Sequence, residues 1–269
     1  MYKSLFKVFK SAQKGLCLSI CISLLLSCLI PISNESFAAS LEGTTDKKEV
    51  KSLGGAVLYS KEQEEEYYNG LSLKEKQLLK EKEELANKVL SDYKKKINVK
   101  NQKGTRSSCI YVPNFFIIPS QYYDYCVPAS TASILYNITN IYYQQPVIFY
   151  NIGYESHLMP QFLSERQSQH MYSYISKYNY TCDGMCARLY STIAYAGVPA
   201  AIVIHVGPGD YWYYQTSGNL GHCVVVYGIY DDFSSIMIGD PGASYVPDCP
   251  NYYSFGKNTV YAVCSNMVF

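Results

Sequence analysis

Two stretches of this chain carry residue types that can do covalent chemistry together. The first reads Pro119-Ser120-Gln121-Tyr122-Tyr123-Asp124-Tyr125-Cys126-Val127-Pro128-Ala129-Ser130. A helix is expected to start here, because Pro128 suits a first helical turn and Ala129, Ala132, Ile134 and Leu135 continue it toward Asn137. Cys126 then stands at a helix N-terminus, where the backbone dipole favours a thiolate. Gln121, upstream of it, can turn its side-chain amide toward the sulfur and offer an N–H to a developing oxyanion. The same local pattern also suits a buried or disulfide-bonded cysteine.

The second stretch lies about a hundred residues on. Gly221-His222-Cys223-Val224-Val225-Val226-Tyr227-Gly228 has strand character, with His222 at its entrance. Asp231-Asp232 marks a turn, Ser235 to Gly239 supplies the partner strand, and Asp240-Pro241-Gly242 closes it. In a hairpin of this size the first residue of one strand lies near the last of the other, which puts Asp240 beside His222. A carboxylate there fixes the imidazole tautomer and stabilises its charged form. Thiol, imidazole and carboxylate together are the parts of a nucleophilic acyl-transfer site. His157 and His170 match no pattern, and His205, in the apolar run Ala201 to Val206, is the alternative base.

The elements that must hold these residues divide by charge. From Leu41 to Arg106, 27 of 66 residues are charged, whereas from Ser107 to Phe269 only 13 of 163 are, and 24 of the 29 tyrosines fall in that second part. The second part has ample apolar mass for a core. Its 4 basic and 9 acidic residues argue against a nucleic-acid partner. The charged part is expected to be helical and solvated. Ser72 and Glu75 form a capping box, and Leu78, Leu85 and Val89, with Leu79, Ala86, Leu90 and Tyr93 beside them, follow as one apolar stripe on a helix of roughly 25 residues. A shorter helix is expected to start at Ser60, with Asn69-Gly70 as the turn between the two. The stripe must dock somewhere, as an intramolecular propeptide over the catalytic groove or as part of a spacer. Leu53-Gly54-Gly55 resembles a processing site, although Gly-Gly pairs are common in loops.

The first 38 residues read as a secretory signal peptide. Lys3, Lys7, Lys10 and Lys14 precede an apolar run from Gly15 to Ile32, and Ser36-Phe37-Ala38 offers a small-residue cleavage site. The run is marginal for an uncleaved span and is broken by Pro31, and a lipid anchor through Cys28 fits less well because apolar residues continue past it. The expected organisation is therefore a signal peptide over 1–38, a charged helical propeptide or spacer over 39–106, and a working domain over 107–269. The expected location is secreted or at the cell surface, with association with the cell wall open.

Gln121 with Cys126-Val127-Pro128-Ala129, the run Ala187 to Ala196 before Gly197-Val198-Pro199, Gly221-His222 opening a strand, and Ile238-Gly239-Asp240-Pro241 occur in an order that resembles the C39-like peptidases, a branch of the papain-like cysteine peptidase superfamily. The resemblance runs from about Phe115 to the C-terminus. It implies an α+β fold with the Cys126 helix packed on an antiparallel sheet carrying His222. It implies Cys126 as nucleophile, His222 as base, Asp240 as its orienter and Gln121 as oxyanion donor, acting on a peptide or protein substrate without cofactor or metal. The chain departs from the family at Val127, where glycine is usual and added bulk narrows the approach to the sulfur.

Two other classes fit the same residues. One is a cell-wall amidase or acyl transferase using the same triad. The other is a catalytically inactive, Tyr-rich binding module, in which Tyr211, Tyr213 and Tyr214 beside Trp212 make an adhesive surface. Of the cysteines after the leader (Cys109, Cys126, Cys182, Cys186, Cys223, Cys249 and Cys264), removing Cys126 leaves an even number for an oxidising compartment. Cys182 with Cys186 is the expected bridge if Asp183-Gly184 forms a turn, and Cys249 with Cys264 is the second. A zinc site on Cys182 and Cys186 has poor spacing. Cys223 is expected to point away from His222 and to be buried without a bond.

Overall fold

The structure is a computed structural model that describes residues 55–100, 107–208, 210, 212–214, 220–246 and 248–269. The leader at 1–38 and the Leu53-Gly54 pair lie outside the described residues. No helix among the described residues is long and apolar enough to cross a membrane.

Two capped helices come first among the described residues. Helix α1 (Lys61–Gly70) starts where Ser60 Oγ accepts the Gln63 N–H and the Gln63 side chain accepts the Ser60 N–H, at 2.9 Å in the second case. Helix α2 (Leu73–Lys100) starts on the expected box, with Ser72 N–H donating to Glu75 at 2.8 Å and Glu75 N–H donating back to Ser72 Oγ. These reciprocal bonds satisfy amides that a helix start leaves open.

Seven strands form one antiparallel sheet: β1 (Cys109–Tyr111), β2 (Tyr174–Ser176), β3 (Ala200–Val206), β4 (Leu220–Tyr230), β5 (Ser235–Gly239), β6 (Tyr252–Gly256) and β7 (Cys264–Val268). Their order is β2-β7-β3-β4-β5-β6, and β1 pairs with the far end of β4, Cys109 opposite Tyr230. Between them lie α3 (Cys126–Thr139), α4 (Gln145–Ile152), α5 (Met159–Ser164), α6 (Cys182–Ser191) and α7 (Lys257–Val263).

Alternation along the central strands divides the core. Ala201 and Val203 of β3, with Cys223 and Val225 of β4, pack with Val127, Ala132, Ile134 and Leu135 of α3. Ile202, Ile204, Val224 and Val226 face the other way, toward Met185 and Leu189 of α6 and the buried stripe of α2. The fold is thus α+β, with the cysteine-bearing helix against the antiparallel sheet.

Several expectations are corrected here. Of the expected stripe of α2, Ala86, Val89 and Tyr93 are buried, while Leu78 and Leu85 are half-buried. A small residue at the crossing lets the two helices approach, and Tyr93 stacks on Phe233 with ring centroids 4.0 Å apart. The stripe docks on α6, on the opposite side of the sheet from α3, so it does not lie over Cys126. Asp183-Gly184 is not a turn but the first turn of α6, capped by Thr181 Oγ1 accepting from Gly184 N–H at 3.2 Å. The expected Cys182–Cys186 and Cys249–Cys264 bridges are not formed, and all seven cysteines of the described residues are free thiols. One helical turn holds the Cβ atoms of Cys182 and Cys186 about 5–6 Å apart, beyond disulfide range. Finally, the helix expected from Ala187 begins earlier, at Cys182, and continues as a wider turn over Thr192–Ala196 to Gly197, whose φ of +68° suits glycine.

Candidate active site

Cys126 is the first residue of α3 and is 1% exposed. The loop before it is fastened on two sides. Gln145, fully buried at the start of α4, accepts the Gln121 N–H at 2.8 Å and donates to the Pro119 carbonyl at 2.7 Å. Ser120 N–H donates to the Pro241 carbonyl at 2.7 Å, tying this loop to the turn that follows Asp240. Nothing in residue type marked Gln145 in advance, since its role comes from where α4 begins.

His222 lies in the first turns of β4, and Asp240 directly follows β5. The register pairs Val225 with Gly239, and a bulge follows between Val226 and Gly228. The outcome is the expected juxtaposition: His222 Nε2 and Asp240 Oδ1 are 2.8 Å apart, with both side chains buried. Cys126 is near enough to His222 to help raise the imidazole pKa. With Nε2 engaged by Asp240, Nδ1 is the nitrogen left to serve the sulfur. His157 instead meets Tyr59 at 2.7 Å, His170 meets Lys82 at 2.9 Å, and His205 sits in β3 with Nε2 unpartnered. Cys223 is buried and free on the face that receives α3, and burial pushes its thiol pKa up.

Two tyrosines complete the carboxylate's shell. Tyr214 Oη donates to Asp240 Oδ1 at 2.7 Å and lies 2.8 Å from His222 Nε2, while Tyr253 Oη donates to Asp240 Oδ2 at 2.7 Å. Gly242 N–H adds a bond to Oδ1 at 2.8 Å. Both oxygens of a buried charge are thereby satisfied. The Tyr-rich run is therefore not uniformly a surface: Tyr214 and Trp212 are buried, and Tyr213 is more open. In a chain with this many tyrosines, residue type gave no signal for Tyr214 or Tyr253.

The electrostatics follow from this shell. Burial pushes the His222 pKa down, but the Asp240 charge, its hydrogen bond and the nearby Cys126 outweigh burial and hold the imidazole above its ordinary value. Burial pushes Asp240 up, and the His222 charge and hydrogen bond, with those from Tyr253 and Tyr214, hold it below the usual carboxylate range. The pair is ionised at neutral pH.

Gln121 occupies the expected position but its side chain is exposed, and no hydrogen bond from it to Cys126 or His222 is present among the described contacts. Val127 is fully buried in the core beneath α3. Its bulk is therefore taken up by packing.

No family model and no curated protein matches the chain. Solved structures do resemble it. Xylellain, a cysteine protease from Xylella fastidiosa, is 12% identical, with a TM-score of 0.48 over 84% of this chain and 98% of that one. The peptidase domain of Streptococcus ComA, a bifunctional ABC transporter involved in a quorum-sensing pathway, is 16% identical, with a TM-score of 0.32 over 58% of this chain and 97% of that one. Neither likeness carries over a residue role.

Proposed function

We propose that the chain is an exported cysteine peptidase that hydrolyses peptide bonds through Cys126, His222 and Asp240. One observation carries this reading: a buried imidazole is paired at 2.8 Å with a fully hydrogen-bonded carboxylate, and the buried cysteine that opens α3 acts on the same ring. The Cys126 sulfur attacks the substrate carbonyl as a thiolate, with the proton resting on His222. The carbonyl oxygen becomes an oxyanion. The Cys126 N–H at the helix start is the proposed donor to this charge, and the exposed Gln121 side chain would have to turn inward to add a second. Collapse breaks the C–N bond, His222 protonates the departing amine, and a thioester remains. His222 then takes a proton from water, hydroxide adds to the thioester, and the acid and the thiolate are released. Asp240 holds the ring and its charge throughout, and Tyr214 and Tyr253 position Asp240.

The leader at residues 1–38 supports export, and residues 55–100 pack on the same core as residues 107–269. The test is direct. The purified chain is incubated with a quenched peptide library and the products are identified. Free carboxylates and new N-termini, lost in Cys126→Ala, are expected. Transfer of the acyl group to an added amine without release of acid would instead make the site a transferase.

A further inference from the structure

A buried carboxylate with one oxygen unused stands in the wall of a cavity away from the triad. The cavity, of about 470 Å³, lies between α1, Tyr59 just before it, His157 and Tyr174 of β2, and none of Cys126, His222 or Asp240 lines it. Glu64 of α1 is 5% exposed. Its Oε1 accepts the Tyr174 hydroxyl at 2.5 Å, and its Oε2 has no hydrogen-bond partner among the described residues. Burial raises the Glu64 pKa, because a carboxylate with a bare oxygen is costly to ionise away from water.

The surroundings select a cation. Glu66 and Glu75 line the same cavity, and its only basic side chain is His157, whose Nδ1 is engaged by Tyr59 Oη at 2.7 Å and lies 3.5 Å from Glu155. An anion is therefore repelled. Among the described residues no group of three His, Cys, Asp or Glu side chains is placed to hold a metal ion. The remaining walls are aromatic. Tyr67 meets Tyr174 and His157 edge to face, with ring centroids 5.1 and 5.5 Å apart, and Tyr59 meets His157 in the same way at 5.1 Å. These contacts hold the rings in place before a ligand arrives. An aromatic ring attracts a cation through its face, and a carboxylate shielded from water adds to that attraction.

The number of free oxygens chooses among organic cations. A guanidinium grips a carboxylate with two parallel bonds and uses both oxygens. Tyr174 already occupies Oε1. An ammonium is satisfied by one acceptor, and a methylene stem behind it suits the aromatic walls. A second cavity, of about 210 Å³, shares Tyr59 and Glu64 with the first, and Lys177 lines it. That positive charge leaves the α1 side of Glu64 as the place for a cation.

We propose that the cavity between α1 and β2 is a binding site for an alkylammonium group, with Glu64 Oε2 as its acceptor and Tyr59, Tyr67 and Tyr174 as its walls. The group belongs either to a free amine or to a lysine side chain. The site is separate from the triad and stands whether or not the peptidase reading does.

The experiment is calorimetric titration of the full chain, at constant ionic strength, with n-butylammonium, n-butylguanidinium, n-butanol and the peptide acetyl-Gly-Lys-Gly amide. Butylammonium is expected to bind at least about tenfold more tightly than butanol, which lacks the charge. Glu64→Gln keeps an acceptor for Tyr174 and replaces Oε2 with a donor, and should weaken butylammonium by at least about tenfold. Tyr67→Leu should weaken it about threefold or more. A peptide that binds as well as butylammonium assigns a lysine side chain, and binding of butylammonium alone assigns a free amine. Equal binding of butanol, tighter binding of butylguanidinium, an affinity unchanged in Glu64→Gln, or no binding of either ammonium probe overturns the proposal. If Glu64→Gln does not fold, carbon-13 spectroscopy of the Glu64 carboxyl in the wild type decides. Its titration midpoint is expected to fall on saturation with butylammonium, and a midpoint that stays in place refutes the assignment.

Discussion

Tyr253 Oη lies 2.7 Å from Asp240 Oδ2, the carboxylate oxygen that His222 does not use. The carboxylate is thus gripped from both sides, and its two partners have separable effects on pH dependence. His222 is held above its ordinary value, so its contribution to stability is complete below about pH 6.5 and fades as pH rises through the raised value. Asp240 is held below its ordinary value, so its contribution is present above about pH 4 and fades as pH falls through the lowered value. Asp240→Asn removes the charge that keeps His222 protonated. The alkaline limb of kcat/KM is expected to move to lower pH by about 1–3 units. Tyr253→Phe leaves the charge in place and costs about 1.5–3 kcal/mol of stability as a lost bond to a charged group. It leaves the alkaline limb where it is and makes acid unfolding begin at higher pH. An alkaline limb unmoved in Asp240→Asn shows that His222 owes its charge to something else.

The assignment of the base is tested by substitution of each histidine in turn. His222→Ala is expected to lower kcat by about 10²–10⁴-fold, the usual worth of a positioned general acid–base. His157→Ala and His170→Ala should leave kcat near wild type, because their partners are Tyr59 and Lys82. Activity lost in His205→Ala but kept in His222→Ala would contradict the geometry.

What could be read from sequence and what could not divides along physical lines. Cys126, His222 and Asp240 were legible because helix starts and strand ends announce themselves through Pro128, Gly221 and Asp240-Pro241, and a hairpin's register follows from its turn. Tyr214, Tyr253 and Gln145 were not, since each acts through a contact distant in sequence and carries no local pattern. The burial of α2 was half legible. The stripe itself was readable, but not that its Ala86, Val89 and Tyr93 lie deepest while Leu78 and Leu85 stay half-buried.

The docking of α2 gives a prediction opposite to that for a detachable cover. Arg188 of α6, its side chain 7% exposed, donates Nε–H to Glu83 at 2.7 Å and a second bond to the other Glu83 oxygen. Glu83→Ala leaves that cation buried and unpaired, which costs about 3–5 kcal/mol, toward the lower end because Glu83 is itself partly open. Arg188→Met in the Glu83→Ala background should recover much of the loss in thermal unfolding. A chain begun at Ser107 exposes the face of Met185 and Leu189, and is expected to melt well below the full chain or to aggregate. A soluble Ser107 fragment with an unchanged melting temperature would show that α2 is dispensable.

The thiols supply the final prediction. Cys182 opens α6 one turn before Cys186, and the interaction with that thiol outweighs burial and lowers the Cys182 pKa to about 7, with Lys257 adding to the effect. Cys186 is pushed the opposite way, first by the same interaction and then by burial. Burial pushes Cys249 up to about 12 and raises Cys109 as well. Cys182 is only half-buried, so it combines access with thiolate character, the two requirements for alkylation. In Cys126→Ala, iodoacetamide at pH 7 should therefore modify Cys182 ahead of Cys109 and Cys249, by roughly the ratio of their thiolate fractions. Lys257→Met should slow that labelling, since it removes a nearby positive charge. Cys186→Ala should slow it more, since it removes the main cause of the lowered pKa. Peptide mapping without reduction checks the same region independently: Cys182 and Cys186 recovered as separate free thiols fit one continuous helix from Cys182, whereas a bridged peptide would require the first turn of α6 to unwind.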